Sequence, residues 1–196
     1  DDSSIYLRDM VFDKRGIDQA AGKAHLFTLT DFLDDSWPHR SYWIFGTQCS
    51  IATGCSSRDK KLIFGRLLVF DESDIYGYGR GQIHWSNQLQ DGAYRLFAVS
   101  RDNGATRWEK PVKIQVRAMV LAGKVLFAAG PLADAGSGPE GTNREALLVA
   151  ISATDGTELA RYALDCPPVF DGMAAAYGRL FISMTDGSLL CMAGQE

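Results

Sequence analysis

Apolar positions along this chain come in short runs rich in Val, Ile, Leu, Tyr and Phe, broken by Gly, Asp and Asn. No long segment keeps the 3.6-residue apolar period of a helix. The runs predict strands at Ile5 to Leu7, His25 to Leu29, Tyr42 to Phe45, Leu67 to Phe70, Ile75 to Tyr78 and Leu96 to Ser100. Further strands are predicted at Ile114 to Leu121, Val125 to Ala129, Leu147 to Ser152, Met173 to Ala176, Leu180 to Met184 and Ser188 to Met192. Asn103-Gly104, Asp155-Gly156 and Asp186-Gly187 separate several of them, and these residues tolerate the positive φ of tight hairpins. The pattern is all-β.

One phrase occurs twice. Leu96-Phe97-Ala98-Val99-Ser100 followed by Asn103-Gly104 is answered by Leu148-Val149-Ala150-Ile151-Ser152 followed by Asp155-Gly156. Each copy then passes through a polar strand and a Gly123-Lys124 or Gly178-Arg179 turn into a second apolar strand. A repeat of about 50 residues built only of strands and turns is the pattern of a β-propeller blade. Degraded copies in the first half bring the count to about four blades of four antiparallel strands. Four blades form either a small closed ring or half of a larger propeller. Residues 1–196 read as one propeller domain or fragment, with loop insertions near 31–41, 48–61 and 131–143.

Hydrophobic residues make up 46% of the chain and charged ones 22%, ordinary values for a globular protein. A net charge of -4 argues against nucleic acid as a partner, which demands a basic stripe. Lys60-Lys61 and Arg66 do not supply one, since Asp59 and Asp71 stand beside them. No apolar run reaches the ~20 residues of a membrane span. The start, Asp1-Asp2-Ser3-Ser4, carries neither an initiator Met nor a leader, and the expectation is a piece of a longer chain.

Of four cysteines, Cys49 and Cys55 share a polar stretch where a short-loop disulfide is sterically easy. Cys166 and Cys191 read as buried free thiols. The Cys49–Cys55 spacing is not that of a zinc pair, and no metal site is expected.

The densest polar and aromatic segment runs from Asp34 to Trp43. Its Asp34, Asp35, His39 and Arg40 are candidates for acid–base or metal chemistry. If extended, however, Asp34 and Asp35 point to opposite faces, and they serve equally as turn caps. Trp37, Tyr42, Trp43, Tyr76 and Tyr78 are candidate ligand contacts, with filling between blades as the alternative for the tryptophans. The three histidines, His25, His39 and His84, lie far apart in sequence. Arg117 is placed in an apolar strand and needs a partner; Asp171, in the following blade, is the candidate. Gly77-Tyr78-Gly79-Arg80-Gly81 opens no helix and so lacks the amide donors of a phosphate loop.

The repeats resemble the quinoprotein-like propellers, whose blades carry a tryptophan-docking motif. Phe97-Ala98-Val99-Ser100, Asn103-Gly104 and Trp108 match that motif, with Ser100 where Asp is usual. The second copy has Val149-Ala150-Ile151-Ser152 and Asp155-Gly156, but Ala160 or a neighbour where Trp is usual. The chain further resembles the C-terminal part of PQQ-like repeat proteins of planctomycetes, through Phe32 to Trp37, His39 to Trp43 and Pro167 to Met173. That resemblance implies the propeller fold. Quinoprotein dehydrogenases of this kind use a calcium site and adjacent cysteines stacked on the quinone. No Cys-Cys pair stands here, so neither PQQ nor Ca2+ is expected.

Three functional readings follow. The first is a non-catalytic propeller scaffold of a larger exported, extracytoplasmic protein, binding a protein or carbohydrate ligand on its loop face or in its central channel. The second is a hydrolase or lyase acting on a glycan or ester around Asp34, Asp35, His39 and Arg40. The third is a quinone-dependent redox protein. Open terminal blades predict either that the chain closes on itself as a small ring or that it forms a homodimer completing a larger propeller.

Overall fold

The computed structural model describes residues 3–17, 24–28, 43–47, 62–79, 94–132 and 145–194. Among these the secondary structure is strand and turn throughout, and each pairing joins strands consecutive in the chain, antiparallel. A hairpin of β1 (Ser4–Leu7) and β2 (Met10–Asp13) comes first. Next is a three-stranded sheet of β3 (His25–Phe27), β4 (Trp43–Gly46) and β5 (Ile63–Gly65).

Two full four-stranded meanders follow. One holds β6 (Leu67–Phe70), β7 (Asp74–Gly79), β8 (Arg95–Ser100) and β9 (Thr106–Pro111). The other holds β10 (Ala118–Ala122), β11 (Val125–Pro131), β12 (Ala146–Ser152) and β13 (Glu158–Leu164). A three-stranded sheet of β14 (Pro168–Ala176), β15 (Arg179–Met184) and β16 (Leu189–Ala193) ends the described chain.

The sheets stack in chain order. The first strand of the second meander, β10, lies against β6 on one side and β14 on the other. First strands side by side, with later strands fanning outward, are the arrangement of propeller blades. The fold is an all-β propeller of about four blades or part of one.

The core is divided between blades rather than gathered at one centre, because the two meanders are apolar on both faces. Tyr76, Trp108, Met119, Leu126 and Ile151 fill the space between the two meanders. Leu148, Leu164, Leu180 and Ile182 fill the next interface. Phe45, Leu68, Ile75 and Phe97 fill the one before, with Trp43 packed against them.

The repeated phrase folds the same way twice. Gly104 N–H donates to the Ser100 carbonyl and Ser100 N–H to that of Ala105; Gly156 with Ser152, and Ser152 with Thr157, reproduce the pair. The Asn103 and Asp155 side chains each accept from the N–H two residues on. Gly104 and Gly156 stand at φ 69° and 73°, where a Cβ is strained.

Three expectations need correction. The strand predicted over Ile114 to Leu121 begins only at Ala118, and Ile114 makes an isolated bridge to Leu132. Gln115 and Arg117 still donate to the Pro131 and Ala129 carbonyls, so the segment hugs β11 without regular pairing. Arg117 therefore precedes the strand instead of lying in it. Cys191, expected buried, is exposed on β16, while Cys166 is buried. Tyr76 and Tyr78, expected as exposed contacts, are 4% and 2% exposed. Strand alternation cannot tell which face meets a neighbouring blade, and here both do.

Candidate binding site at the inner strand ends

Asp34, Asp35, Trp37, His39, Arg40 and Tyr42 lie outside the described residues, as do Cys49, Cys55 and His84. Of the described candidates, Arg117, Asp171 and Tyr78 come together where the first strands of three consecutive sheets begin. Tyr76 lies toward the other end of β6 against Asp71 and Trp108, and Trp43 packs in the preceding interface. Arg66 stands immediately before β6, Arg117 immediately before β10, and Asp171 within β14.

Backbone contacts set the geometry. Asp171 N–H donates to the Arg117 carbonyl at 2.8 Å, tying β14 to the entry of β10. Arg66 N–H donates to the Tyr78 carbonyl at 2.7 Å. The Arg66 guanidinium lies over the Phe170 ring, 5.2 Å from its centroid, a cation–π contact across blades. The Tyr78 and Tyr94 rings are 5.2 Å apart. A hydrogen bond from the Val116 backbone reaches the Tyr78 phenol.

Glycine makes this closeness possible. A Cβ on Gly130 would collide with the Gln115 carbonyl, and one on Gly79 would come within 3.1 Å of the Gly65 Cα. Gly79 and Gly130 occupy the same place in successive blades: Tyr78 pairs with Leu67 as Ala129 pairs with Ala118. Each lets the segment entering its first strand press against the second.

The electrostatics follow from burial. Desolvation pushes the Tyr78 phenol well up, ahead of the nearby Tyr94, while the Arg66 charge and the Val116 hydrogen bond pull it down. Desolvation alone pushes the Asp171 carboxyl above the ordinary carboxylate range and lowers the Arg117 guanidinium from its usual value. Asp171 is open to solvent on one side, and its raised pKa reflects the strand ends crowded round the other. Arg117 and Asp171 are joined through the main chain, by the Asp171 N–H on the Arg117 carbonyl. Asp171 also sits at φ 54°, the left-handed region that Asp tolerates better than most residues.

Arg66 and Phe170 were not singled out from sequence as site residues. The available signal was positional: Arg66 precedes the apolar strand Leu67 to Phe70 as Arg117 precedes the one from Ala118. His25 has a structural placement, its ring 4.7 Å from Tyr6 and its Nε2 2.8 Å from the Arg8 carbonyl. Among the described residues no three His, Cys, Asp or Glu side chains gather as metal ligands would. Among them, too, no helix is long and apolar enough to cross a membrane.

No family model matches the chain, and no curated protein does. Several solved structures are similar in part, two of them as follows. The computationally designed Ika4 protein shares 10% identity at a TM-score of 0.38, over 64% of this chain and 88% of that one. BamB from Moraxella catarrhalis shares 12% identity at a TM-score of 0.33, over 94% of this chain and 66% of that one. Similarities of this size assign neither family nor function, and the fold stands on the chain's own topology.

Proposed function

We propose that this chain is a non-catalytic scaffold of the PQQ-like propeller type, part of a larger exported protein, which binds a protein or carbohydrate partner. The partner sits where Arg66, Phe170, Asp171 and Arg117 converge. One observation carries the reading: three consecutive inner strands deliver an Arg–aromatic stack and a partly desolvated carboxylate to one place. Aromatic faces and charged groups held by rigid strands are what recognition surfaces use. The reading assigns no reaction and no cofactor.

Glycan and peptide arrays probed with the purified chain test it. The expected result is retention by one ligand class, weakened at least tenfold in a Phe170→Ala, Asp171→Ala double variant. A double variant that folds and binds like its parent overturns the site. Glycan spots and peptide spots separate the two partner classes.

The reading includes self-association. The β1–β2 hairpin exposes Ile5 at 53%, Leu7 at 57% and Met10 at 40%, apolar surface that favours burial against a second copy. Light scattering coupled to size exclusion is expected to give twice the mass of one chain, and Ile5→Asp with Leu7→Asp to halve it. A monomer at micromolar concentration overturns this part.

A further inference from the structure

The two interfaces flanking the second meander are built on one plan and finished differently. Between β6–β9 and β10–β13, the Trp108 indole fills the gap. Its Nε1–H donates to the Ala153 carbonyl at 2.8 Å, and its ring lies 6.3 Å from that of Tyr76. Gly156 lies against the same indole.

Register transfers each part of that dock to the next interface. Tyr76 pairs with Ala98 and Ala98 with Trp108; Phe127 pairs with Ala150 and Ala150 with Ala160. Phe127 is thus the counterpart of Tyr76, and Ala160 of Trp108. On the receiving sheet, Phe181 pairs with Cys191 as Phe127 pairs with Ala150, which makes Gly194 the counterpart of Ala153. Where the first interface has an indole, the second has a methyl group.

A cavity of about 590 Å³ lies there, within the size range of small-molecule sites. Phe127, Leu148, Leu180 and Met192 are among its walls, Gly194 among its lining, and Arg179 is the one charged lining residue. Tyr177, 99% exposed and at φ 52°, stands at its edge. An exposed aromatic in a left-handed turn is a local cost that packing does not repay.

We propose that this cavity binds a small planar aromatic carboxylate of indole size, its ring in the place Trp108 occupies in the twin interface and its carboxylate on Arg179. The argument rests on the chain's own repeat. Apolar strand faces that accept an indole once, with an aromatic ring on one wall and a backbone carbonyl at the end, are presented a second time without one. A positive group at the mouth selects an anionic substituent. This site is separate from the inner-strand cluster and stands or falls independently of it.

Isothermal titration of the full chain with indole-3-acetate tests the proposal, with methyl-resolved NMR on the methionines. Saturable one-to-one binding is expected, weakened about tenfold by Arg179→Ala and abolished by Ala160→Trp, which places an indole in the cavity. The Met192 methyl signal is expected to shift while that of Met119, in the interface already filled, stays put. Absence of saturable binding at millimolar ligand, or shifts at Met119 rather than Met192, overturns the proposal. The methyl readout decides even if Ala160→Trp does not fold.

Discussion

The indole Nε1 of Trp108 donates a 2.8 Å hydrogen bond to the carbonyl of Ala153, in the turn region of the following sheet. Forty-five residues separate the two, so the contact is between blades and not within one. The indole is 6% exposed, and its hydrogen bond satisfies the polar atom that burial would otherwise penalise.

Removing this ring is expected to loosen the first interface. Trp108→Ala should cost about 3–5 kcal/mol, the range for deleting a buried large aromatic. Trp108→Phe keeps most of the apolar contact and should lose less, chiefly the ~1 kcal/mol of the hydrogen bond and some packing. Urea unfolding of both variants checks the order; equal and negligible losses would show that the blades are not held by this dock.

Two glycines should respond in opposite degrees. Gly130→Ala drives a Cβ into the Gln115 backbone, which cannot move aside without breaking the Gln115 and Arg117 hydrogen bonds to β11. Loss of cooperative folding is expected, visible in thermal melts. Gly123→Ala meets no atom within 4 Å and strains only a φ of 59°, so its cost should be about 1–2 kcal/mol.

Alkali should destabilise the protein through its tyrosines. Desolvation first, then the Asp71 and Asp74 carboxylates, push the Tyr76 phenol from 10.0 up to about 12. The folded state therefore holds this proton when the unfolded chain has released it. Stability is complete below about pH 10 and lost progressively as pH rises toward about 12. Tyr78 adds to the trend in the same direction. Tyr76→Phe removes one of these groups, and melting curves from pH 8 upward should show a shallower decline than the parent's.

At Asp171 the linkage falls at the acid end. Its pKa is raised by desolvation, so the folded state prefers the protonated carboxyl. That preference favours folding below about 3.8 and fades as pH rises through the folded value, above which the buried side of the carboxylate opposes folding. Asp171→Asn keeps a residue tolerant of φ 54° and removes the charge. It should melt higher than the parent at pH 7 and alike near pH 3. A parent that is the more stable at pH 7 would mean that the carboxylate has a favourable partner.

Much of the fold was legible in the chain because strand signals are local. The run Leu67 to Phe70 folds as read, and the Asn103-Gly104 and Asp155-Gly156 turns form with the positive φ their residues allow. The boundary at Ala118 was not legible. Ile114 to Arg117 is as apolar as a strand, and only the approach to Gly130 decides that its pairing is irregular. Burial of Tyr76 and Tyr78 was equally hidden, since alternation marks two faces without saying that both are covered.

By itself, then, the sequence determined what depends on neighbours along the chain: strands, turns, the repeat, and a Trp at the docking position of one copy and not the other. Tertiary structure alone decided what depends on residues far apart. It set Arg66 over Phe170, bound Asp171 to the Arg117 backbone, and opened a cavity lined by Phe127 and Gly194, the counterparts of Tyr76 and Ala153. The physical reason is that a propeller buries its side chains between sheets, and which faces meet is a property of the stack rather than of any one strand.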